Sequence, residues 1–457
     1  MEEATDKEQL DGKLLFPLVL GTMMNPLNST MLATALTTIC HQFSRDVSAG
    51  AYLITPLYVA ATIGQPLMGR LADIYNPKII NRLGFILVFI AALIGALAPS
   101  FAWLIVSRVI LGFGTSAAYP SAIAIVSHRY QSQQRAVPGR VLGIISVANQ
   151  VSMVLGPILG GFLTDWLGWQ GIFLINIPWV LNALYFSRKI PSIEKKDSRS
   201  VPLLKKIDAS GVALMAVFLI SAMFVLTQRP LNLAYPITAV VALVWLIWHE
   251  SRQRNPFLDV KLLWNQPSLF WVYVRTTATT YILYLSLYAM PQWVEAVKMM
   301  SPSQTGLIMF PMSVMSGVTA IYISRSTKYL RMNLVGIISM GLAWAGLFYL
   351  HEAVPVWILV GVIMLTGVAA GVNGIVNQAM ISVEVPQAKT GVSFGLYRTF
   401  GYFGAIISGT QIKSVFRDGV TDKSLHLLSI FALASFLVMV VLFFGTLVRH
   451  RRQLKVR

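Results

Sequence analysis

The sequence predicts an all-α integral membrane protein on three observations: apolar stretches of bilayer-crossing length recur from end to end, charged residues are scarce, and the basic residues gather on alternate connecting loops. Of 457 residues, 56% are hydrophobic and 12% charged, with a mean hydropathy of +0.66. A soluble domain carries roughly 25% charged residues, about twice that share. A hydrocarbon core of roughly 30 Å needs about 20 apolar residues in helical form. The stretches are continuously apolar rather than alternating, which selects helices over barrel strands.

In order, the predicted spans cover 14–38, 50–69, 80–99, 102–127, 141–163 and 171–187. A polar stretch near 188–208 follows, then 209–227, 232–249, 267–291, 304–324, 333–350, 354–379, 391–412 and 425–448. These are fourteen transmembrane helices, parsed as two bundles of six and an inserted pair, with domains at 1–190, 191–262 and 263–457. With the N-terminus on the cytoplasmic side, only Arg45, Arg229, Lys298, Lys413, Arg417 and Lys423 fall on the opposite face. Arg108, Arg275 and Arg398 fall inside helices, and every other Lys and Arg lies on the cytoplasmic side. That bias places both termini in the cytoplasm and the chain in the cell inner membrane. The N-terminal segment, MEEATDKEQLDGK, is acidic and polar and does not read as a cleaved signal peptide, so the first apolar run is retained.

Composition also excludes several functions. The net charge of +18 sits in short inter-helix loops rather than on one solvated face, so no nucleic-acid partner is expected. One cysteine, Cys40, permits neither an intrachain disulfide nor a multi-cysteine metal site. The six histidines show no ligand spacing, no phosphate-cradling GxxxxGK[ST] loop is present, and no nucleophile–base constellation can be read. Cofactors, metal and catalytic residues are therefore not expected. Transport by such a chain would draw on an ion or solute gradient. Repeated halves are a common build for secondary transporters, with the substrate site between them.

Motifs sharpen this reading. GRLADIYNPK runs from Gly69 to Lys78, RVILGFG carries Arg108 with Gly112 and Gly114, and LGPILGG carries Gly156, Pro157, Gly160 and Gly161. In this order they resemble the signature loop, the buried arginine and the antiporter signature of the major facilitator superfamily. WQGIFLINIPW at 169–179, Ile207 to Gly211 (IDASG), and ESRQRNPFLDVKLL are similar to the fourteen-helix drug:proton antiporter family of that superfamily. The resemblance implies a major facilitator fold, a likeness that extends over nearly the whole chain. It also implies secondary active efflux of drugs or toxic metabolites, proton-coupled, by alternating access, and a monomer in a lipid bilayer. Gly69 and Asp73 would form a gate, with Gly69 allowing close helix approach. Gly156, Pro157, Gly160 and Gly161 would form another. SRSTKYLR at 324–331 lacks the Asp expected in a repeat of the first loop.

One departure bears on the substrate. Where the family pattern has an Asp proposed for proton coupling, this chain has Asn28, which cannot titrate. All 18 acidic residues fall in loops or near helix ends, while the embedded charges are Arg108, Arg275 and Arg398. Arginine forks suit carboxylate, phosphate and phosphonate groups. An anionic or polar substrate, such as a phosphonate or carboxylate antibiotic, is the resulting expectation. Arg108 and Arg398 occupy positions often basic in the family, and Arg275 could instead snorkel to the membrane edge. Helices expected to face the path supply Asn25, Asn28, Thr30, Tyr119, Asn149 and Gln150, and then Tyr284, Tyr288, Asn373, Asn377 and Tyr397. Tyr281, Tyr284 and Tyr288 share one helix face, suited either to a pocket wall or to packing. An uptake permease for an organic anion remains open within the fold, as does a membrane sensor or enzyme on a transporter-like scaffold.

Overall fold

The computed structural model describes residues 12–131, 139–191, 207–228, 232–253, 256, 258–324, 329–384 and 390–456. Among them every regular element is helical. The first half comprises α1 (Gly12–Ala33), α2 (Leu36–Gln42), α3 (Ala51–Ile74), α4 (Pro77–Ala96), α5 (Phe101–Gln131), α6 (Gly139–Leu167), α7 (Gly171–Leu174) and α8 (Asn176–Ser187). The pair α9 (Ala209–Thr227) and α10 (Ala234–Arg252) follows. Beyond it lie α11 (Val260–Asn265), α12 (Pro267–Val297), α13 (Pro302–Ser324), α14 (Tyr329–Tyr349), α15 (Val356–Glu384), α16 (Thr390–Val415) and α17 (Asp422–Val456).

Local chemistry sets the boundaries. Asn76 caps α4, its side chain accepting the Lys78 N–H at 3.0 Å, and Pro77 occupies the first turn, where no amide donor is missed. Asp208 and Asp259 cap α9 and α11 in the same way. Gly168, at φ +72°, ends α6 in a left-handed turn that side-chain-bearing residues rarely adopt. Prolines lie inside α1, α3, α5, α6, α12 and α13. Lipid offers no water to the carbonyl a proline frees, and neighbouring hydroxyls take that role. Ser313 Oγ of α13 donates to Met153 O, the carbonyl four residues before Pro157, at 3.0 Å.

Nine helices among the described residues are long and apolar enough to cross a membrane, and two shorter apolar helices, 151–167 and 171–187, accompany them. The molecule is a multi-pass integral membrane protein. In α9 and α10 only 22% of the apolar stretch is buried, against 78% for the stretch containing α3, so the inserted pair lies at the periphery, facing lipid. Its inner helix, α9, packs on both α3 and α16.

The helices before and after this pair, called here the two halves, meet along two seams, α6 with α13 and α3 with α16. At the end carrying the connections near 42–51, 167–171, 297–302 and 416–422, the first seam is tight. A Cβ added at Gly161 would overlap the Pro302 carbonyl, and one at Gly306 would overlap the Pro157 carbonyl. There Asp165 Oδ2 also accepts the Ser303 N–H at 3.0 Å, across the seam at the start of α13. Toward the opposite end the packing relaxes: a Cβ at Gly317 would meet only Val154, at 4.0 Å, an ordinary contact.

Candidate functional site

Two polar layers lie along the meeting of the halves. The first is phenolic. Tyr58 of α3 and Tyr288 of α12 share a hydrogen bond between hydroxyls at 3.1 Å, and the Tyr288 hydroxyl also donates to Ser29 O of α1 at 3.2 Å. The Tyr58 ring meets Tyr284 edge-on, with centroids 4.9 Å apart, and lies 5.7 Å from Tyr402 of α16. Tyr284 and Tyr288 stack at 6.1 Å, and the Tyr402 hydroxyl donates to Gln65 Oε1 at 3.4 Å. Tyr58 and Tyr288 are each fully buried. The layer is a plug between halves, not an open wall. Aromatic pairs of this kind contribute about 0.5–1.5 kcal/mol each beyond area burial.

The second layer is cationic. The Arg398 guanidinium lies over the Tyr119 ring at 3.7 Å, joining α16 to α5 across the halves. Arg275 is 2% exposed and its Nε donates to Asn377 Oδ1 at 2.5 Å. It points into the bundle, so the alternative of a side chain snorkelling to the membrane edge is overturned. Tyr397 stands within electrostatic reach of both arginines and of Tyr119, and its hydroxyl donates to Gly374 O at 3.4 Å. Next to Asn377, Asn373 is fully buried with neither end of its amide hydrogen-bonded. Its amide packs against Gly336 of α14, where an added Cβ would come within 2.7 Å of Oδ1, and such an amide in a dry interior costs on the order of 1–3 kcal/mol. Among the described side chains, every carboxylate lies in a loop or within two residues of a helix end. Glu295 is one of these, yet it is packed at 9% exposure beside Thr37.

Other expected residues go elsewhere. Asn28 turns into the first half: its Nδ2 donates to Asn176 Oδ1 at 2.6 Å, and Asn176 Nδ2 returns a bond to Asn28 Oδ1 at 2.8 Å. This closed amide pair leaves Asn28 little capacity for a guest. Thr30 lies under Gly156 in the α1–α6 contact, where it packs rather than lines. Asn25 Nδ2 donates to Thr115 Oγ1 at 2.9 Å, tying α1 to α5. Arg108 is 1% exposed, with its Nε on Leu53 O at 3.0 Å, and it lies near Tyr58 and Tyr288 under the phenolic plug. Asn149 Oδ1 has no hydrogen-bond partner. The tyrosine stripe splits, because Tyr281 bonds Gln411 within the second half while its two companions face the first.

The gating glycines also divide. Gly156 and Gly160 admit α1 against α6, and Gly161 admits α13. At Gly69 an added Cβ would meet only Pro120 at 3.5 Å, an ordinary contact, so the close helix approach expected there is not present. The side chains of Asp73, Gln150 and Glu384 lie outside the described residues. The sequence reading missed Tyr58, Gln65, Tyr402 and Asn176. Tyr58 and Gln65 are seven residues apart in an otherwise apolar helix, hence on one face, and that spacing was the available signal.

The chain's relatives match this architecture. Residues 18–409 match the model of the Major Facilitator Superfamily. An uncharacterized MFS-type transporter of Bacillus subtilis, YwoD, is 29% identical over 90% of this chain and 91% of its own length. The multidrug efflux pump SdrM of Staphylococcus aureus is 26% identical over 90% and 91%. Among solved structures, a bacterial homologue of the human lysosomal transporter Spinster, in an inward-facing, unoccupied conformation, superposes with a TM-score of 0.65. It has 14% sequence identity, covers 94% of this chain and 96% of that one, and shows the fold alone. The paired halves, the polar seam and the family match together place this chain in the Major Facilitator Superfamily, as a secondary-active transporter of small molecules rather than an enzyme.

Proposed function

We propose that this transporter is a proton-coupled exporter with fourteen membrane-crossing helices and both termini in the cytoplasm, and that it prefers anionic or strongly polar substrates. The carrying observation is the cationic layer. Arg398 joins α16 to α5 across the halves, Arg275 is buried against Asn377 with Tyr397 in reach of both arginines, and the described carboxylates stay at helix ends. A substrate carboxylate or phosphonate entering from the more loosely packed end would displace Arg275 from Asn377 and gain a charge-assisted bidentate bond. The phenolic plug then parts as the halves rock, opening the other end. Export is supported by the printed functions of relatives, SdrM and a second Bacillus subtilis relative, multidrug resistance protein 3, which is 25% identical over 92% of this chain. The family domains at 1–190, 191–262 and 263–457 and a monomeric state belong to the same proposal.

The test is uptake into everted vesicles made from cells expressing the chain. With an acid interior, vesicles should accumulate a phosphonate or carboxylate antibiotic, and Arg275→Ala should abolish that accumulation. Accumulation of cationic dyes alone would overturn the substrate preference. Accumulation that ignores the proton gradient would overturn the coupling, and uptake by whole cells in place of vesicles would favour an uptake permease.

A further inference from the structure

Two sequence segments 41 residues apart converge where the inserted pair emerges from the bundle. Asp208 stands at the start of α9 and His249 and Glu250 at the end of α10, with one ligand-capable atom of each lying within 4.8 Å of the others. Asp208 Oδ1 lies 2.8 Å from His249 Nε2. Each carboxylate is also anchored by neighbouring donors. Ser210 Oγ and Gly211 N donate to Asp208 Oδ1, each at 3.2 Å, and Leu258 N donates to Glu250 Oε2 at 3.0 Å. Such bonds orient carboxylates toward a common centre, as outer partners do around bound metals.

The remaining oxygen is the informative one. Glu250 is 1% exposed, and its Oε1 has no hydrogen-bond partner. It reaches the cluster because residue 211 is glycine: a Cβ there would overlap Glu250 Oε1 and sit 2.8 Å from Asp208 Oδ2. Two buried carboxylates at this distance repel strongly unless a proton or a metal cation is shared between them. The imidazole reaches Asp208 alone, so Glu250 calls for one or the other.

We propose that Asp208, His249 and Glu250 bind a divalent transition-metal cation of the zinc class, which clamps α9 to α10. One imidazole nitrogen and two carboxylate oxygens form a ligand set that zinc accepts, with bonds of roughly 2.0–2.2 Å and a fourth position for water. Coordination takes the Nε2 lone pair, so its proton leaves or moves to Nδ1, and the bond to Asp208 is replaced by shared coordination. The clamp joins the two ends of the inserted pair and stands apart from the seam between halves.

The test uses tag-free, full-length protein in detergent, treated with chelator and then titrated with zinc against a chromophoric chelator. One zinc per chain should bind, raise the melting temperature, and bind at least tenfold more weakly in His249→Ala and in Glu250→Gln. His351→Ala, at the other end of the fold, should bind as the native chain does. Cobalt in place of zinc should give visible absorption bands that vanish in His249→Ala. Absence of stoichiometric binding would overturn the proposal, as would binding unchanged in both His249→Ala and Glu250→Gln. If those variants fail to elute as folded monodisperse protein, Asp208→Asn and the cobalt spectrum of the native chain decide, with the absence of a nitrogen-ligand signature counting against it.

Discussion

The hydroxyls of Tyr58 and Tyr288 meet at 3.1 Å across the interface between the two halves of the chain. Removing the Tyr58 hydroxyl while keeping its ring breaks that bond and leaves the Tyr288 bond to Ser29 in place. A buried hydrogen bond contributes about 0.5–1.5 kcal/mol, so Tyr58→Phe should lower the population of the closed end about five-fold. Tyr288→Phe also removes the bond to Ser29 O and should cost more than Tyr58→Phe, while the double variant should cost scarcely more than Tyr288→Phe alone. Distances between spin labels at positions 45 and 423, in connections of opposite halves at that end, read the populations directly.

Asp165 and Ser303 provide a separate hold on the same end. The Asp165 carboxylate accepts a backbone N–H at the start of α13, where the helix dipole adds roughly 0.3–1 kcal/mol. Asp165→Ala should open that end about two- to five-fold in the same label measurement. Asp165→Asn keeps an acceptor without the charge and should fall between the two. Equal effects of both substitutions would mean that the charge contributes nothing.

Much of this was legible in the sequence, and the limits have physical causes. Helix positions follow from hydrophobic length, so the span 209–227 and the segment 171–187 reappear almost unchanged. Composition also revealed that Arg108, Arg275 and Arg398 are embedded, because no surface is available to them mid-helix. Which way each one points was not legible. Whether Arg275 bonds Asn377 or reaches the membrane edge depends on the rotation of α12, which inter-helix packing fixes. Likewise Asn28 looked like a pocket residue until its partner Asn176, remote in sequence, filled its bonding capacity.

That amide pair can be tested by deletion. Asn28→Ala leaves Asn176 Oδ1 without its donor in a dry interior, while Nδ2 keeps its bonds to Ile172 O and Phe173 O, at a cost of about 1–3 kcal/mol, so the melting temperature should fall. Asn28→Ala with Asn176→Ala removes both partners and should recover part of the loss. Transport should follow stability in this series, because neither side chain contacts the cationic layer.

Two glycines expected to act alike should respond differently. Gly156→Ala drives a methyl into Thr30, an overpacking worth about 1–3 kcal/mol, and should reduce both folded yield and flux. Thr30→Ser in the same chain should not relieve it, since Oγ is the atom overlapped, whereas Thr30→Ala should relieve it in part. Gly69→Ala meets only an ordinary contact and should retain native flux. Loss of flux at Gly69→Ala without loss of stability would assign that position a role in another conformation.

The peripheral helix α9 touches α3 on one side and α16 on the other, one helix from each half. A wedge seated on both leaves of a joint cannot ignore how far the joint swings. As the leaves separate it must slide along at least one of them, exchanging protein neighbours for acyl chains. The inserted pair is therefore a place where bilayer composition gains purchase on the working cycle, well away from the cargo.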